Sequence, residues 1–302
     1  MTEQYLRKVS LVASAGGQGI DLSQMHIQFR VFAPDAGVPP RAFIRVWNLK
    51  PETADRIRKE FDTVELQAGY SEPGVIFKGT IVQTKRGAEN AIDRYLEIIA
   101  SDLDEFRNYT LINKTLAAGS SQKDQLDAVT KGQQLGSVDI VNSGVLPRGK
   151  VLFGIGRLQM DRIAKNTETS WFSQNGQINL VRRTGYLPDE IVVLNSNTGM
   201  IGVPEATNEG VEVRCLLNPR IRVGCRVQID NASITNTQVN RNVADPLVAQ
   251  NFPAALASDG VYRVLVAEHA GDNRGPQFET IITCLALDAT TSKSSSVPAG
   301  AS

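Results

Sequence analysis

Two stretches of this chain, each 29 residues long, read alike. Residues Gly74 to Asp102 are GVIFKGTIVQTKRGAENAIDRYLEIIASD, and residues Gly260 to Asp288 are GVYRVLVAEHAGDNRGPQFETIITCLALD. Both open on Gly-Val and run through a β-rich stretch. Both cross a polar, charged tip that contains glycine, return through an aromatic and an Ile-Ile pair, and end in Asp. Each has the pattern of a long β-hairpin. Each also follows another β-run, TVELQAGY in one case and GCRVQIDN in the other. A repeat of this size would give the chain two similar β-domains. A duplication accounts for the echo, and so does a chance match between two hairpins built from common strand residues.

The remaining patterns fit around these hairpins. Gln28 to Phe32, Phe43 to Leu49 and Val64 to Gly69 alternate or run β-rich between Gly and Pro breaks. PETADRIRKEF interrupts them as a helix, with Pro51 and Glu52 in its first turn and Ala54, Ile57 and Phe61 on one stripe. From Leu103 to Arg183 the texture changes. SSQKDQLDAVTKGQQLG reads as an exposed helix capped by Ser120 or Ser121 and stopped at Gly136. IGRLQMDRIAKNT reads as a second helix with Ile155, Leu158 and Ile163 inward. WFSQNGQINLV reads as a hairpin turning at Asn175-Gly176. From Ile191 the pattern is β again. Asn236 to Ser258 reads as a loop or arm, and the end of the chain as a low-complexity tail. The expected fold is therefore mainly β with an α+β middle. Its divisions are a first β-domain over 1–103, a middle over 104–190, a second β-domain over 191–290 and a tail over 291–302.

Composition excludes several functions. Thirty-two Lys and Arg balance thirty-two Asp and Glu, whereas a dedicated nucleic-acid binder carries a basic surplus. No apolar run reaches the roughly 18 residues of a membrane helix. The start MTEQYLRKVSLVAS lacks a signal-peptide core, so the expected site of synthesis and residence is a cytoplasm. Two histidines, His26 and His269, are too few for most hydrolytic machinery, and no Gly-x-Ser-x-Gly elbow is present. Gly154-Ile155-Gly156 lacks the third glycine of a dinucleotide site. No cofactor is expected.

Three cysteines cannot close a disulfide framework, and none has the close partners of a zinc site. In VEVRCLLNPRIRVGCRVQID, Val211, Val213 and Cys215 share one face. After the break at Asn218-Pro219, Ile221, Val223, Cys225, Val227 and Ile229 share the apolar face of a second strand, with Arg222 and Arg226 opposite. The cysteines read as core thiols. The arginines read as groups that a neighbouring subunit or a channel could meet. Trp47 reads as a core or interface anchor. Lys85-Arg86 and Arg182-Arg183 read as solvated or interface charges.

In order, FIRVWNLKPETADRIRKEF, VELQAGY, GVIFKGTI, LNPRIRVGCRVQID and GVYRVLVAEHAGDNRGPQFET resemble the baseplate hub proteins of contractile-tailed bacteriophages. This is the gene-product-27-like group, related to the N-terminal part of type VI secretion spike proteins. The resemblance spans residues about 24 to 288. It implies two tail-tube-like β-barrel domains per chain, related by internal duplication. It also implies a homotrimer whose six such domains form a pseudo-sixfold ring. One side of that ring would meet the sixfold tail tube and the other the threefold central spike, with other baseplate proteins around it. DNA would pass through the channel without specific binding, and the location would be the virion's tail baseplate, assembled in the host cytoplasm. The family has no catalytic residues to carry over, so no enzyme is expected. A tail-associated peptidoglycan hydrolase, a type VI-like spike component and a monomeric OB-like binding module are the alternatives. The hairpin tips, Lys85 to Ala91 and Ala270 to Gln277, are expected to contact neighbouring rings. The interface expectation comprises Lys85, Arg86, Arg222, Arg226, His269, Asp272 and Arg274.

Overall fold

The computed structural model describes residues 6–35, 38–90, 92–140, 144–207, 209–236 and 256–286. Most of the 236–258 segment and the tail after 286 lie outside them, as do the expectations made for those segments.

The first region contains β1 (Lys8–Ala15), β2 (Gln18–Asp21), β3 (Ile27–Pro34), β4 (Arg41–Trp47), α1 (Pro51–Glu60), β5 (Thr63–Gly69), β6 (Gly74–Ala88) and β7 (Arg94–Ser101). The middle contains α2 (Asp104–Asn108), β8 (Leu111–Leu116), α3 (Gln122–Val129), β9 (Gln134–Val138), β10 (Lys150–Ile155), α4 (Gly156–Asn166), β11 (Thr169–Gln174) and β12 (Gln177–Arg182). The last contains β13 (Val192–Leu194), β14 (Met200–Ala206), β15 (Val211–Leu216), β16 (Arg226–Ile229), β17 (Thr235–Asn236), β18 (Val261–Asp272) and β19 (Phe278–Ala286).

Both echo segments are antiparallel hairpins, β6–β7 and β18–β19. Their surroundings also match. The first region orders β3-β4-β7-β6-β5, and the last orders β14-β15-β19-β18-β16, with every neighbouring pair antiparallel. The letters are less well kept than the topology. Ala100 pairs with Ile81, and its counterpart Ala286 pairs with Tyr262. Matching the two alanines therefore leaves the first hairpin strands five residues out of step.

The two sets of strands are not separate barrels. β18 pairs antiparallel with β3, from Val266↔Pro34 to Asp272↔Gln28, and so fuses both regions into one 14-stranded sheet. Among the described residues that sheet runs from β17 to β2 without closing. The middle region forms its own small sheets, β8 with β10 and β9 with β12 and β11.

Local chemistry explains the elements. α1 begins with Pro51 at its start and Glu52 in its first turn, and ends with Arg58 and Lys59 against its dipole. It buries Ala54 and Ile57, with Phe61 just beyond its end; a fully buried Ile contributes roughly 1.5–3 kcal/mol. Asn175 and Gly176 both take positive φ between Gln174 and Gln177, as a tight hairpin turn requires.

Three expectations are corrected here. α3 is capped by Ser121 but ends at Thr130, and Gly136 lies inside β9. The helix is not fully exposed, since it buries Gln125, Leu126 and Val129. In α4, Ile163 faces the core as expected, together with Met160 and Ala164, but Leu158 faces solvent, because Gly156 and Gln159 take the inward positions next to Ile155 and Leu158. Ile221 to Ile229 is not one strand: only Arg226–Ile229 is. Gly224 turns the chain at φ +81°, and a Cβ there would lie 2.9 Å from the Phe172 ring. The apolar residues of this stretch are nonetheless all buried.

Three cores result, each falling mainly within one expected region, with a few residues that cross between regions. Leu217 and Phe278 belong to the first core. Phe172, Val181 and Leu187, from the middle region, belong to the second. α2, α3 and α4 enclose the third with Trp171, Ile178 and Leu180.

Candidate assembly surfaces

The seam between β3 and β18 is built by alternation. Ile27, Phe29 and Val31 point to the core, while Arg30 and Phe32 point outward. On β18, Ala267 and His269 are inward and Glu268 outward. His269 is therefore a core residue, buried between β3 and β19, and not the interface residue expected. Its Nδ1 lies 2.9 Å from Thr280 Oγ1. Burial pushes its pKa down to about 4, although the Ile221 carbonyl pulls the other way.

The tip of the second hairpin is already occupied within the chain. Asp272 accepts from the backbone N–H groups of Arg274 and Gly275 at 2.8 and 2.7 Å and lies 2.9 Å from His26 Nε2. Burial raises its pKa, but these bonds prevail and hold it below the usual carboxylate value. Asn273 accepts from the Ile27 N–H at 2.9 Å and donates to the Met25 carbonyl at 2.8 Å. Arg7 donates to the Gly275 and Pro276 carbonyls, and Arg274 reaches the Gln24 carbonyl at 3.4 Å. His26 in turn stacks on Trp47, with ring centroids 4.3 Å apart. Trp47 is thus an internal anchor, and the tip clamps the last region onto the first.

Arg222 and Arg226 also work inside the chain. Arg222 makes a two-pronged pair with Asp189 at 2.9 and 2.7 Å. Arg226 donates to the Asp189 carbonyl at 3.1 Å, and its guanidinium lies 4.1 Å from the Tyr186 ring centroid. Together they tie the segment after β12 to the start of β16 and the turn before it. Arg86 pairs with Asp55 at 2.9 Å and donates to the Pro51 carbonyl, which docks α1 on β6. Lys85 is exposed beside it. Of the seven expected residues, the structure brings His269 and Asp272 onto the seam strand with Arg274 at its tip, and Arg222 and Arg226 together at Asp189. Lys85 and Arg86 lie apart on β6.

Sequence reasoning missed the residue that joins all three regions. Arg263 is 1% exposed. It pairs with Asp35, just after β3, and donates to the carbonyls of Arg182, Arg183 and Gly185 at 3.0, 3.2 and 3.0 Å. Ser170 on β11 donates to the same carboxylate. A single arginine in the apolar run VYRVLV was the available signal. A charge there survives burial only with partners.

Across the seam, the outward sheet face forms a groove of about 870 Å³ whose lining includes Phe32, Arg41 and Phe43. Arg30–Glu268, Arg45–Glu97 and Arg214–Glu279 pair across it at 2.6, 2.9 and 3.6 Å. Among the described residues, no cluster of three acidic, His or Cys side chains is placed to hold a metal. The three cysteines are free and buried. Burial raises the pKa of Cys215 to about 12 and of Cys225 to about 11, so neither is a reactive thiolate. No described helix is long and apolar enough to cross a membrane.

Residues 154–244 match the family described as baseplate hub gp41. This chain resembles phage baseplate hubs. Its fold agrees with that likeness. The 43 kDa tail protein of prophage MuSo2 from Shewanella oneidensis superposes with a TM-score of 0.58 at 9% identity, covering 92% of this chain and 98% of that one. A tail protein from Neisseria meningitidis MC58 gives 0.55 at 10% identity, covering 93% and 96%. An E. coli type VI secretion component, described as structurally similar to the T4 tail proteins gp27 and gp5, gives 0.53 at 9% identity over 94% and 78%. No curated protein sequence matches the chain. The hub-like chain thus shares its β-rich fold with tail proteins, and the region matched by the hub family includes β14, β15 and β16.

Proposed function

We propose that this chain is a non-enzymatic hub of a phage tail baseplate. Three copies form a ring that joins the sixfold tail tube to the threefold central spike and encloses the DNA channel. The observation that carries this reading is the seam. One chain presents two five-strand sets with the same antiparallel order, already joined side by side through β3 and β18. Two such units per chain convert threefold into near-sixfold symmetry, the match an adaptor between tube and spike needs. We ascribe the two units to duplication, with the five-residue slip as later drift. The likeness to phage hubs and tail proteins supports the location in the virion. DNA passes through the channel unspecifically.

The test is the mass and symmetry of the purified protein, by mass photometry and averaged electron micrographs. A particle of three chains with six similar lobes is expected, and no fragment is released from peptidoglycan. A stable monomer that stays monomeric with its tail partners, or release of peptidoglycan fragments, overturns the reading.

A further inference from the structure

The intrachain seam has a half-empty copy at each end of the molecule. In the last region, β16 covers only Val261 to Arg263 on β18, and Val266 to Asp272 of that strand take β3 as their partner. In the first region, β5 pairs with β6 from Gly74 to Thr80 and stops. β6 continues to Ala88 with β7 on one side. No described strand lies on its other side; within this stretch Arg86 reaches α1. The counterpart of β3 is β14. It pairs with β15 on one side, and β17 meets its other side only at Glu205 and Ala206. Met200 to Pro204 have no described strand there, and within them β14 bulges away from β15, with Gly202 at φ +74°. One region therefore carries the receiving edge without a strand, and the other carries the inserting strand without a receiver.

The side chains of these edges fit the same conclusion. Val82 is 55% exposed, and Ile201 and Val203 are 39% and 65% exposed. An open strand edge bearing exposed β-branched residues is a template for another chain. Pro34 ends the stretch of β3 that pairs with β18, and Pro204 ends the open stretch of β14, a position proline tolerates at a pairing boundary.

We infer that the β6 edge from Val82 to Ala88 of one copy pairs antiparallel with Met200 to Pro204 of β14 in the next copy, repeating the β18–β3 seam between chains. This rests on the ring reading above and names its contact. Each chain offers one edge of each kind, so the contact is head-to-tail. Such a contact closes into a ring when its rotation matches that of the internal seam, and otherwise runs on as a filament. Near-equal rotations at the two kinds of seam close the ring at three chains.

The experiment uses the full chain. Gln83→Cys or Thr84→Cys is combined with Ile201→Cys, oxidised, and read on a non-reducing gel; the native thiols are buried and stay silent. Separately, Val82→Glu with Val203→Glu is weighed by mass photometry. Both positions are exposed, so the monomer's melt should not move, which circular dichroism checks. The expected results are dimer and trimer bands from the paired cysteines alone, and a loss of association of at least about tenfold in the double glutamate variant. A trimer that forms without cross-links and is untouched by the glutamates overturns the strand pairing while the ring reading stands. A wild-type chain that is monomeric alone and with its tail partners overturns both. Cross-linked filaments in place of trimers overturn the closure.

Discussion

His269→Gln should flatten the acid dependence of this protein's stability. The folded protein keeps the imidazole buried between β3 and β19 with a pKa of about 4, against an ordinary value of 6.5. The unfolded chain takes up a proton as pH falls through about 6.5, and the folded chain does not until about 4. The unfolded state therefore binds more protons in that window. Stability is full above it and is lost as pH falls. At about 1.36 kcal/mol per pKa unit, the complete loss is about 3 kcal/mol, of which about 2 has gone by pH 5. Glutamine retains hydrogen-bonding capacity toward Thr280 and cannot take the proton. Urea melts of wild type and variant at pH 7.5, 6 and 5 measure the difference. The variant should start lower at pH 7.5, because the fit around Thr280 changes. The gap should then close by about 2 kcal/mol at pH 5. Carboxylates common to both proteins cancel in that comparison. Parallel pH curves would refute the reasoning, since they would mean that His269 titrates alike in both states.

Two further outcomes follow from the buried charges. Arg263→Met should cost about 3–5 kcal/mol, because it strands the buried Asp35 carboxylate and frees three carbonyls; Asp35→Asn together with Arg263→Met should recover part of that loss in thermal melts, and no recovery would mean that the carbonyl bonds dominate. Asp102 is raised to about 6, by burial first, against the backbone N–H of Gly176 and the nearby Arg107 charge. The folded state then holds more protons between pH 3.8 and 6, so this group adds stability as pH falls through that window. Asp102→Asn should thus melt higher than wild type at pH 7.5 and converge with it near pH 4, and an equal gap at both would count against the buried carboxylate.

Much of this was legible before any coordinates. The patterns of QFRVF and FIRVWNL pointed to β3 and β4, because a half-buried strand must alternate. Asn175-Gly176 gave its hairpin, because few other pairs tolerate two positive φ values. The apolar faces around Cys215 and Cys225 gave core thiols. The site residues were harder. Charge and position suggested that Arg222, Arg226, Asp272 and Arg274 face a neighbour, but each finds a partner inside its own chain. A sequence shows that a side chain is charged; it does not show which distant carboxylate or carbonyl the fold will bring to it. His269 went the same way, because EHAGDNRG reads as one polar tip while the turn begins only after Asp272.

The two hairpins, their flanking strands and the helices of the middle region are properties of local sequence, set by residue period and turn chemistry over a few residues. The joining of those hairpins into one sheet belongs to tertiary structure. β18 and β3 lie more than two hundred residues apart, and nothing in either strand names its partner. The seam forms because both edges would otherwise leave backbone groups unpaired. Asn273 and Arg263 then lock it from its two ends, through bonds that exist only once the chain has closed on itself.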